Sequence, residues 1–348
     1  MTISFLIYKA ILVLIIFSIT LLVATYSTYA ERKVAAFLQD RLGPNRAGPF
    51  GILQPLADAV KMFMKEEMIP NVSNKALFII GPGISMLTAC MTGVVIPWGT
   101  SLNIGGTNYS MQITDVNIGI LYLFGVVSLG VYGIMIGGWA SNNKYSLLGA
   151  IRASSQMISY EVSMGLSIIA LVMVTGTLSL GEIAAQQHSY HWNIIHQPLG
   201  CLIFVICAFA ETNRAPFDLP ECETELVGGY HTEYSSMKLG LFLFAEYINM
   251  FISSAVIATF YFGGYNMPFI GRFVHSPNAL AILGFVFLFM KIVGFIFLFM
   301  WVRWTLPRFR YDQLMNLGWR ILIPLSILNM VVTGGWIMRH EIITYLFK

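Results

Sequence analysis

Acidic residues concentrate in one stretch of an otherwise apolar chain. Seven of the 17 acidic residues fall within the 36 positions from Glu211 to Glu246. A charged carboxylate at bilayer depth costs about 2.5–3.5 kcal/mol on insertion scales, so such residues are kept where they face water, a partner or a ligand. We therefore expect this stretch to form the working part of the protein.

Three glutamates stand inside or at the edge of apolar segments, and these are Glu161, Glu211 and Glu246. Carboxyl groups shielded from water exchange protons near neutral pH, which is the requirement for a proton relay. The alternative is structural pairing with a basic residue such as Arg152 or Lys238. The inner loop adds three more carboxylates at i, i+2 and i+4, which would titrate as a group. These are Glu221, Glu223 and Glu225.

Two prolines, Pro216 and Pro220, interrupt the chain after Glu211. Proline removes a backbone donor and breaks a regular helix, so the pattern predicts a fixed loop here. Arg214 and Asp218 flank the first proline. They fit either an ion pair or a clamp that only shapes the loop.

Long apolar helices must position these residues. The chain is 57% hydrophobic and 11% charged, whereas soluble domains have about 25% charged residues. A span needs about 20 mostly apolar residues, so we predict an all-α integral membrane protein, a single polytopic domain over residues 1–348 with eight transmembrane helices. The predicted spans are Ile3–Thr28, Ala76–Trp98, Asn117–Ala140, Ile158–Leu178, Pro198–Asn213, Leu239–Phe262, Ala279–Val302 and Ile321–Met338. The fifth is the shortest, as in a half-membrane or broken helix.

Lysine and arginine lie mostly on one side of these spans. Fifteen of the 20 basic residues fall in the connections after predicted spans one, three, five and seven. By the positive-inside rule these connections face the cytoplasm, or the matrix of an organelle. We therefore expect both termini on the outer side. The first loop, 31–75, and the acidic loop, 211–238, are then on the inner side.

The first inner loop contains a segment, Ile52–Glu67, with apolar residues at helical spacing. It is too short and too polar to span a bilayer, and the pattern predicts an amphipathic helix in the interface plane. Such a helix either anchors the loop or forms the lip of a lateral opening for a lipid-soluble ligand. On the same side of the membrane, the run Trp301–Asp312 mixes arginine with aromatic residues. That run fits the interfacial aromatic belt, or the wall of a polar pocket.

The sequence contains no Ser-His-Asp, P-loop or GxGxxG pattern, and we expect neither catalytic residues nor a metal site in this chain alone. The histidines of one outer connection fit a solvated loop better than a metal site. The four cysteines form no CxxC pair, and we interpret them as packing thiols.

Eight short motifs occur in order along nearly the whole chain. They are Glu31-Arg-Lys33, Arg41-Leu-Gly-Pro-Asn45, Gly48-Pro-Phe-Gly51, Leu53-Gln-Pro-Leu-Ala-Asp-Ala59, Ile158-Ser-Tyr-Glu161-Val, Glu211-Thr-Asn-Arg-Ala-Pro-Phe-Asp218, Glu233-Tyr and Pro307-Arg-Phe-Arg-Tyr-Asp-Gln-Leu314. In these motifs the chain resembles a family of membrane subunits of respiratory complex I, the subunit 1 family.

The resemblance implies a wall of the quinone tunnel and a glutamate path toward antiporter-like subunits. The positions that match the tunnel are Arg32, Arg41, Asp58, Arg214, Asp218, Glu221, Glu223 and Arg303. The positions that match the path are Glu161, Glu211, Glu225 and Glu246. It also implies a ubiquinone or menaquinone substrate, and FMN and iron–sulfur clusters in partner subunits. The expected partners are the hydrophilic-arm quinone-site subunits and the small and antiporter-like membrane subunits.

We therefore predict a membrane subunit of proton-translocating NADH:quinone oxidoreductase, in a bacterial inner membrane or a mitochondrial one. The related subunit of a membrane-bound hydrogenase or another donor dehydrogenase is an alternative. A stand-alone proton or cation transporter and a passive scaffold are alternatives from different classes.

Overall fold

Long helices make up most of the computed structural model, which describes residues 3–188, 191–219, 226–268 and 276–339. Within these ranges the helices are α1 (Ile3–Leu38), α2 (Gln54–Met64), α3 (Lys75–Thr92), α4 (Gly119–Ala140), α5 (Lys144–Thr175), α6 (Leu180–Gln186), α7 (Asn193–His196), α8 (Pro198–Glu211), α9 (Ser236–Tyr261), α10 (Pro277–Thr305), α11 (Tyr311–Asn316) and α12 (Ile323–Ile337). A π-helical turn, Leu317–Leu322, joins α11 to α12.

Seven helical segments of the described chain are long and apolar enough to cross a membrane. They are Phe5–Leu38, Lys75–Val95, Gly119–Ala140, Lys144–Thr175, Ser236–Tyr261, Pro277–Thr305 and Tyr311–Ile337. Helix α8, the fifth predicted span, has 14 residues. At 1.5 Å per residue it covers about 21 Å, less than the ~30 Å of a hydrocarbon core. The multi-pass helical architecture is thus confirmed, with α8 a shorter apolar helix.

Several helices extend further than their apolar segments predicted. Helix α1 continues past Thr28 to Leu38, and α5 begins at Lys144 rather than at Ile158. Asn143 begins α5, because its side chain accepts a hydrogen bond from the Tyr145 amide. Helical backbone continues through polar residues wherever caps and packing allow, and hydropathy alone does not detect those turns.

Helix α9 lies at the centre of the bundle. In the most apolar 18-residue stretch of α9, 61% is buried, whereas the corresponding share is 22% in both α1 and the last span. It packs against α3, α10 and α1, while α8 packs against α5. The helices that carry the three predicted membrane glutamates are therefore interior or pack against the interior.

Helices α3 and α4 approach each other closely at glycines. A Cβ atom on Gly133 would lie 2.3 Å from Ser85 Oγ and 2.8 Å from the Ser85 amide nitrogen. A Cβ on Gly81 would lie 2.9 Å from Gly137 Cα. Small residues allow such contact between helix backbones in a membrane protein. This contact fixes α3 beside the helices that surround Glu211.

A β-hairpin forms in a connection for which no strand was expected. Strands β1 (Ser101–Ile104) and β2 (Thr107–Ser110) pair antiparallel. The turn residues Gly105 and Gly106 have φ of 61° and 82°, which is the type I′ geometry that two glycines favour. The apolar pattern is too short here to reveal the strands.

Candidate functional site

A buried carboxylate joins four elements of the fold. Glu31 Oε2 lies 3.1 Å from Arg214 Nη1 and accepts a 2.8 Å hydrogen bond from the Tyr247 hydroxyl. The other oxygen, Oε1, pairs with Arg303 Nη1. These side chains come from α1, the loop after α8, α9 and α10. We call Glu31, Arg214, Tyr247 and Arg303 the Glu31 cluster.

The Glu31 cluster holds two positive charges around one negative charge. The Glu31 and Arg214 side chains are only 8% and 5% exposed, and Arg303 is 26% exposed. Arg214 also lies over the Tyr247 ring, with its guanidinium carbon 4.1 Å from the ring centroid. Burial opposes the charge of Arg214, but Tyr247, Glu31 and Glu246 raise its pKa above the usual range. Its charge is thus held in place by the surrounding groups, and the cluster carries a net positive charge that suits an anionic or electron-rich ligand.

A single glutamine shapes the loop that presents Arg214. The Gln156 amide nitrogen donates to the Ala210 carbonyl at 2.9 Å and to the Phe217 carbonyl at 2.8 Å, and so ties both ends of the loop to α5. Asn213 adopts a left-handed conformation, with φ of 49°. The described part of the loop, as far as Leu219, is therefore tied to α5, in agreement with the loop predicted at Pro216.

The ion pairs of this loop differ from the Arg214–Asp218 pair that the sequence suggested. Arg214 pairs with Glu31, and Asp218 Oδ2 lies 2.9 Å from Arg308 Nη2. Asp218 is buried, and the residue after Arg308 donates its amide to the Pro216 carbonyl at 3.1 Å. Asp218 thus joins the loop to the chain after α10, a long-range contact that sequence spacing cannot reveal.

The first loop contributes one further pair and one peripheral arginine. Arg32 Nη1 lies 2.7 Å from Asp58 Oδ2, which links α1 to α2. Arg41 donates to the Gln39 side chain at 2.7 Å in an exposed position. Arg32 and Asp58 are therefore brought together, whereas the described contacts of Arg41 are local.

A cavity with a mostly apolar lining and several polar groups lies between α3, α4, α5, α8 and α9. It has about 50 Å³ of space open to water, enough for a few water molecules. We call it the glutamate cavity, and its polar lining includes Ser85, Thr88, Glu211, Tyr230, Glu246 and Asn249. The two predicted glutamates of α8 and α9 thus share one internal space.

The two glutamates of the glutamate cavity have different surroundings. Glu246 accepts a 2.8 Å hydrogen bond from the buried Tyr230 hydroxyl. Glu211 Oε2 is buried and has no hydrogen-bond partner among the described residues, and neither has Ser85 Oγ, which lines the same cavity. Buried carboxyl oxygens without partners are rare, because they lose the full solvation of the charged form. The geometry suits a carboxyl group that takes up a proton.

Glu161 lies beside this cavity rather than in its lining. It accepts a hydrogen bond from Ser128 Oγ on α4 and is half-buried. Its charge acts on Glu211. The described ion pairs do not include Glu161 or Glu211.

Sequence reasoning did not single out Glu31 as a site residue. It stands within the motif Glu31-Arg-Lys33 but at the polar end of a long apolar helix, where its partners lie far away in the sequence. Its one local signal is an acid directly before two basic residues. The predicted Glu221, Glu223 and Glu225 lie outside the described residues. Within the described ranges, no cluster of His, Cys, Asp and Glu fits a metal ion.

Comparison with known proteins gives one consistent result. A family model described as NADH dehydrogenase matches residues 10–334. An H-type subunit of the NADH-quinone oxidoreductase of Cytophaga hutchinsonii is 70% identical over 336 residues, which cover 97% of this chain and 98% of that protein. The corresponding subunit of Flavobacterium johnsoniae is 62% identical over 341 residues, covering 97% of each chain. That of Flavobacterium psychrophilum is 65% identical over 333 residues, covering 95% of this chain and 97% of that protein.

Proposed function

The chain belongs to the NADH dehydrogenase family of membrane subunits, and from that premise we propose that it is a membrane subunit of proton-translocating NADH:quinone oxidoreductase. In this proposal it forms part of the quinone-binding chamber and part of the glutamate path that couples quinone reduction to proton pumping. The observation that supports it best is the position of Arg214. This residue pairs with Glu31 and also interacts electrostatically with Glu246 of the glutamate cavity.

The quinone chamber lies at the Glu31 cluster and the adjoining first loop. Arg214 and Arg303 supply positive charge, and the Arg32–Asp58 pair joins α1 to α2, the helix that would form the lip of a lateral opening. Arg41, Asp218, Glu221 and Glu223 complete the proposed set. A quinone is neutral when it enters and gains negative charge when it is reduced, before protons neutralise it. The net positive charge of the Glu31 cluster stabilises the negatively charged, reduced quinone relative to the neutral, oxidised quinone.

The coupling step then follows from electrostatics. Negative charge in the chamber attracts the Arg214 guanidinium. The electrostatic attraction between Arg214 and the nearby carboxylates becomes weaker as a result. A carboxylate that loses positive charge from its surroundings takes up a proton more readily. Glu246 and Glu211 are the first candidates, with Glu161 and Glu225 next along the path. Within a low-dielectric interior such effects act over several ångströms.

The wider assignment follows the family. We propose eight crossings in a single polytopic domain, with α8 as the short fifth one and α2 in the plane of the inner interface. Both termini then face the outer side of a bacterial inner membrane. Electrons reach the quinone from a terminal iron–sulfur cluster in a hydrophilic-arm subunit, with FMN in another partner. Small and antiporter-like subunits continue the membrane arm.

The proposal is tested by Glu211→Gln in the intact complex within inverted membrane vesicles. The change removes a titratable group from the glutamate cavity while preserving side-chain size. We expect an assembled complex whose proton gradient per NADH oxidised falls to less than half. The matched control is Glu66→Gln, an exposed glutamate of the first loop. A Glu161→Gln, Glu211→Gln double variant that assembles and pumps fully would refute the path.

A further inference from the structure

Helix α2 has little buried surface against the rest of the described chain. Pro55 is its one fully buried residue. Four of its apolar side chains are more than half exposed, and these are Leu56, Val60, Phe63 and Met64. An element with few buried apolar contacts is held weakly by packing, so polar contacts decide where α2 lies. One such contact is the Arg32–Asp58 pair, which ties α2 to α1.

A second set of polar contacts ties the other end of α2 to the start of α9. Ser236 Oγ donates to the Met62 carbonyl at 3.0 Å, and Ser235 Oγ accepts a 3.1 Å hydrogen bond from the Met68 amide. Lys238 Nζ pairs with Glu67 Oε1. We call this set the α2 latch, and it comprises Met62, Glu67, Met68, Ser235, Ser236 and Lys238.

Lys238 connects the α2 latch to the interior of the bundle. Its side chain is 12% exposed, whereas that of Glu67 is 51% exposed. Lys238 Nζ lies 5.4 Å from the centroid of the Phe78 ring on α3, and ring faces attract cations. Phe78 in turn stacks on Tyr234 with the ring centroids 4.1 Å apart, and the Tyr234 hydroxyl lies 3.2 Å from the Gly137 carbonyl oxygen on α4. The lysine end of the latch is therefore fixed to α3 and α4, and the glutamate end is attached to α2.

The α2 latch directly follows the end of the acidic inner loop. Glu233 accepts a 2.6 Å hydrogen bond from the Asn143 side chain at the start of α5. Ser236 has a positive φ of 56°, which is uncommon for a residue other than glycine and persists only where surrounding contacts determine it. The contacts of Glu233 and Tyr234 on one side and of Lys238 on the other supply that constraint. The start of α9 is thus a fixed frame to which α2 is attached.

We propose that Lys238, acting through Glu67, is a positioning residue for the quinone chamber, because it holds α2 where Asp58 meets Arg32. Arg32 is next to Glu31 on α1, so a displacement of α2 changes the charge distribution beside the Glu31 cluster. Exposed ion pairs shift an equilibrium by about fivefold at most. Quinone binding that requires the held position of α2 weakens in proportion to the fraction of molecules that leave it. The inference rests on the proposed function, which assigns Arg32 and Asp58 to the chamber.

The first measurement is amide hydrogen exchange of α2 in the intact complex. Glu67→Gln removes the charge at the half-exposed end of the pair, and Lys238→Met removes it at the buried end while keeping an apolar side chain beside α3. We expect each change to speed exchange across α2 by about two- to fivefold, and the double variant to exchange no faster than the faster single variant. Lys238→Arg should keep most of the protection. Glu66→Gln, at an exposed neighbour outside the described ion pairs, should match the wild type.

The second measurement is steady-state turnover of the intact complex with a short-chain quinone. We expect the KM for the quinone to rise about two- to fivefold in Glu67→Gln, with kcat unchanged, because neither latch residue is part of the proposed chamber. At an ionic strength of about 1 M the screening length falls to about 3 Å, so the difference between Glu67→Gln and the wild type should shrink. A general loss of structure would lower kcat and would not respond to salt in this way.

Three results would overturn the inference. The first is unchanged α2 exchange in an assembled Glu67→Gln complex. The second is faster α2 exchange with an unchanged KM, since α2 would then be held without positioning the chamber. The third is a KM defect that persists undiminished at high ionic strength, since the lost charge would then not be its cause. If Lys238→Met does not assemble, Glu67→Gln decides alone. An unchanged KM in Glu31→Gln would instead refute the proposed chamber and with it the proposed function.

Discussion

Replacing Glu31 with glutamine removes the single negative charge between two guanidinium groups and leaves the side-chain size nearly unchanged. Removing one partner of a buried ion pair costs about 3–5 kcal/mol, because the remaining charge is left uncompensated. Arg214 is the fully buried partner, so it carries most of this cost. Arg303 is 26% exposed, and solvent screens its share. We therefore expect Glu31→Gln to reduce the stabilising free energy of the Glu31 cluster by about 3 kcal/mol, at the low end of that range.

We expect this weaker cluster to impair quinone binding and reduction and to leave assembly of the complex intact. Arg214 and Arg303 then repel each other and separate, which displaces the positive charge from the chamber wall. We expect the KM for a short-chain quinone to rise tenfold or more, with kcat also reduced. Electron transfer from NADH to an artificial acceptor that bypasses the quinone should be unchanged. Glu66→Gln serves as the exposed control. The assay is steady-state turnover of the membrane-bound complex at several quinone concentrations.

A double-mutant cycle separates this explanation from general damage. In Glu31→Gln the unpaired Arg303 is the source of part of the defect, so Arg303→Gln in the same protein should restore part of the quinone affinity. Contacting charged residues show coupling energies of about 0.5–3 kcal/mol in such cycles. Additive effects of the two changes would contradict an interaction between Glu31 and Arg303. So would an assembled Glu31→Gln complex with wild-type KM and kcat.

Two further predictions concern the glutamate cavity and the contact that supports it. Tyr230→Phe removes the 2.8 Å hydrogen bond to Glu246, and we expect fewer protons pumped per NADH at nearly normal quinone turnover, with exposed Tyr132→Phe as the control. Gly133→Ala places a Cβ 2.8 Å from a backbone nitrogen of α3 and should destabilise the complex by about 1–3 kcal/mol. Gly125→Ala on the same helix meets open space and should leave the thermal midpoint unchanged.

The sequence predicted the positions of the helices better than it predicted which side chains contact one another. Hydropathy located each apolar helix because the membrane imposes a length and a composition on every span. It did not predict that Arg214 pairs with Glu31, because that contact joins residues 183 positions apart. The Arg214–Asp218 spacing suggested a local pair, and the fold instead gives each residue a distant partner. Spacing along a chain indicates contacts only within one helix or turn.

The two halves of the candidate site are joined through α9 and Arg214. Glu246 and Tyr247 are consecutive residues of α9, so they point in directions about 100° apart on the helix. Glu246 lines the glutamate cavity, and Tyr247 bonds to Glu31 on the other side. Arg214 pairs with Glu31 and also interacts electrostatically with Glu246. A guanidinium that interacts with two carboxylates can favour one over the other after a small displacement. Under the proposed function, a change of charge in the chamber alters the protonation of Glu246 without a large movement of the helices.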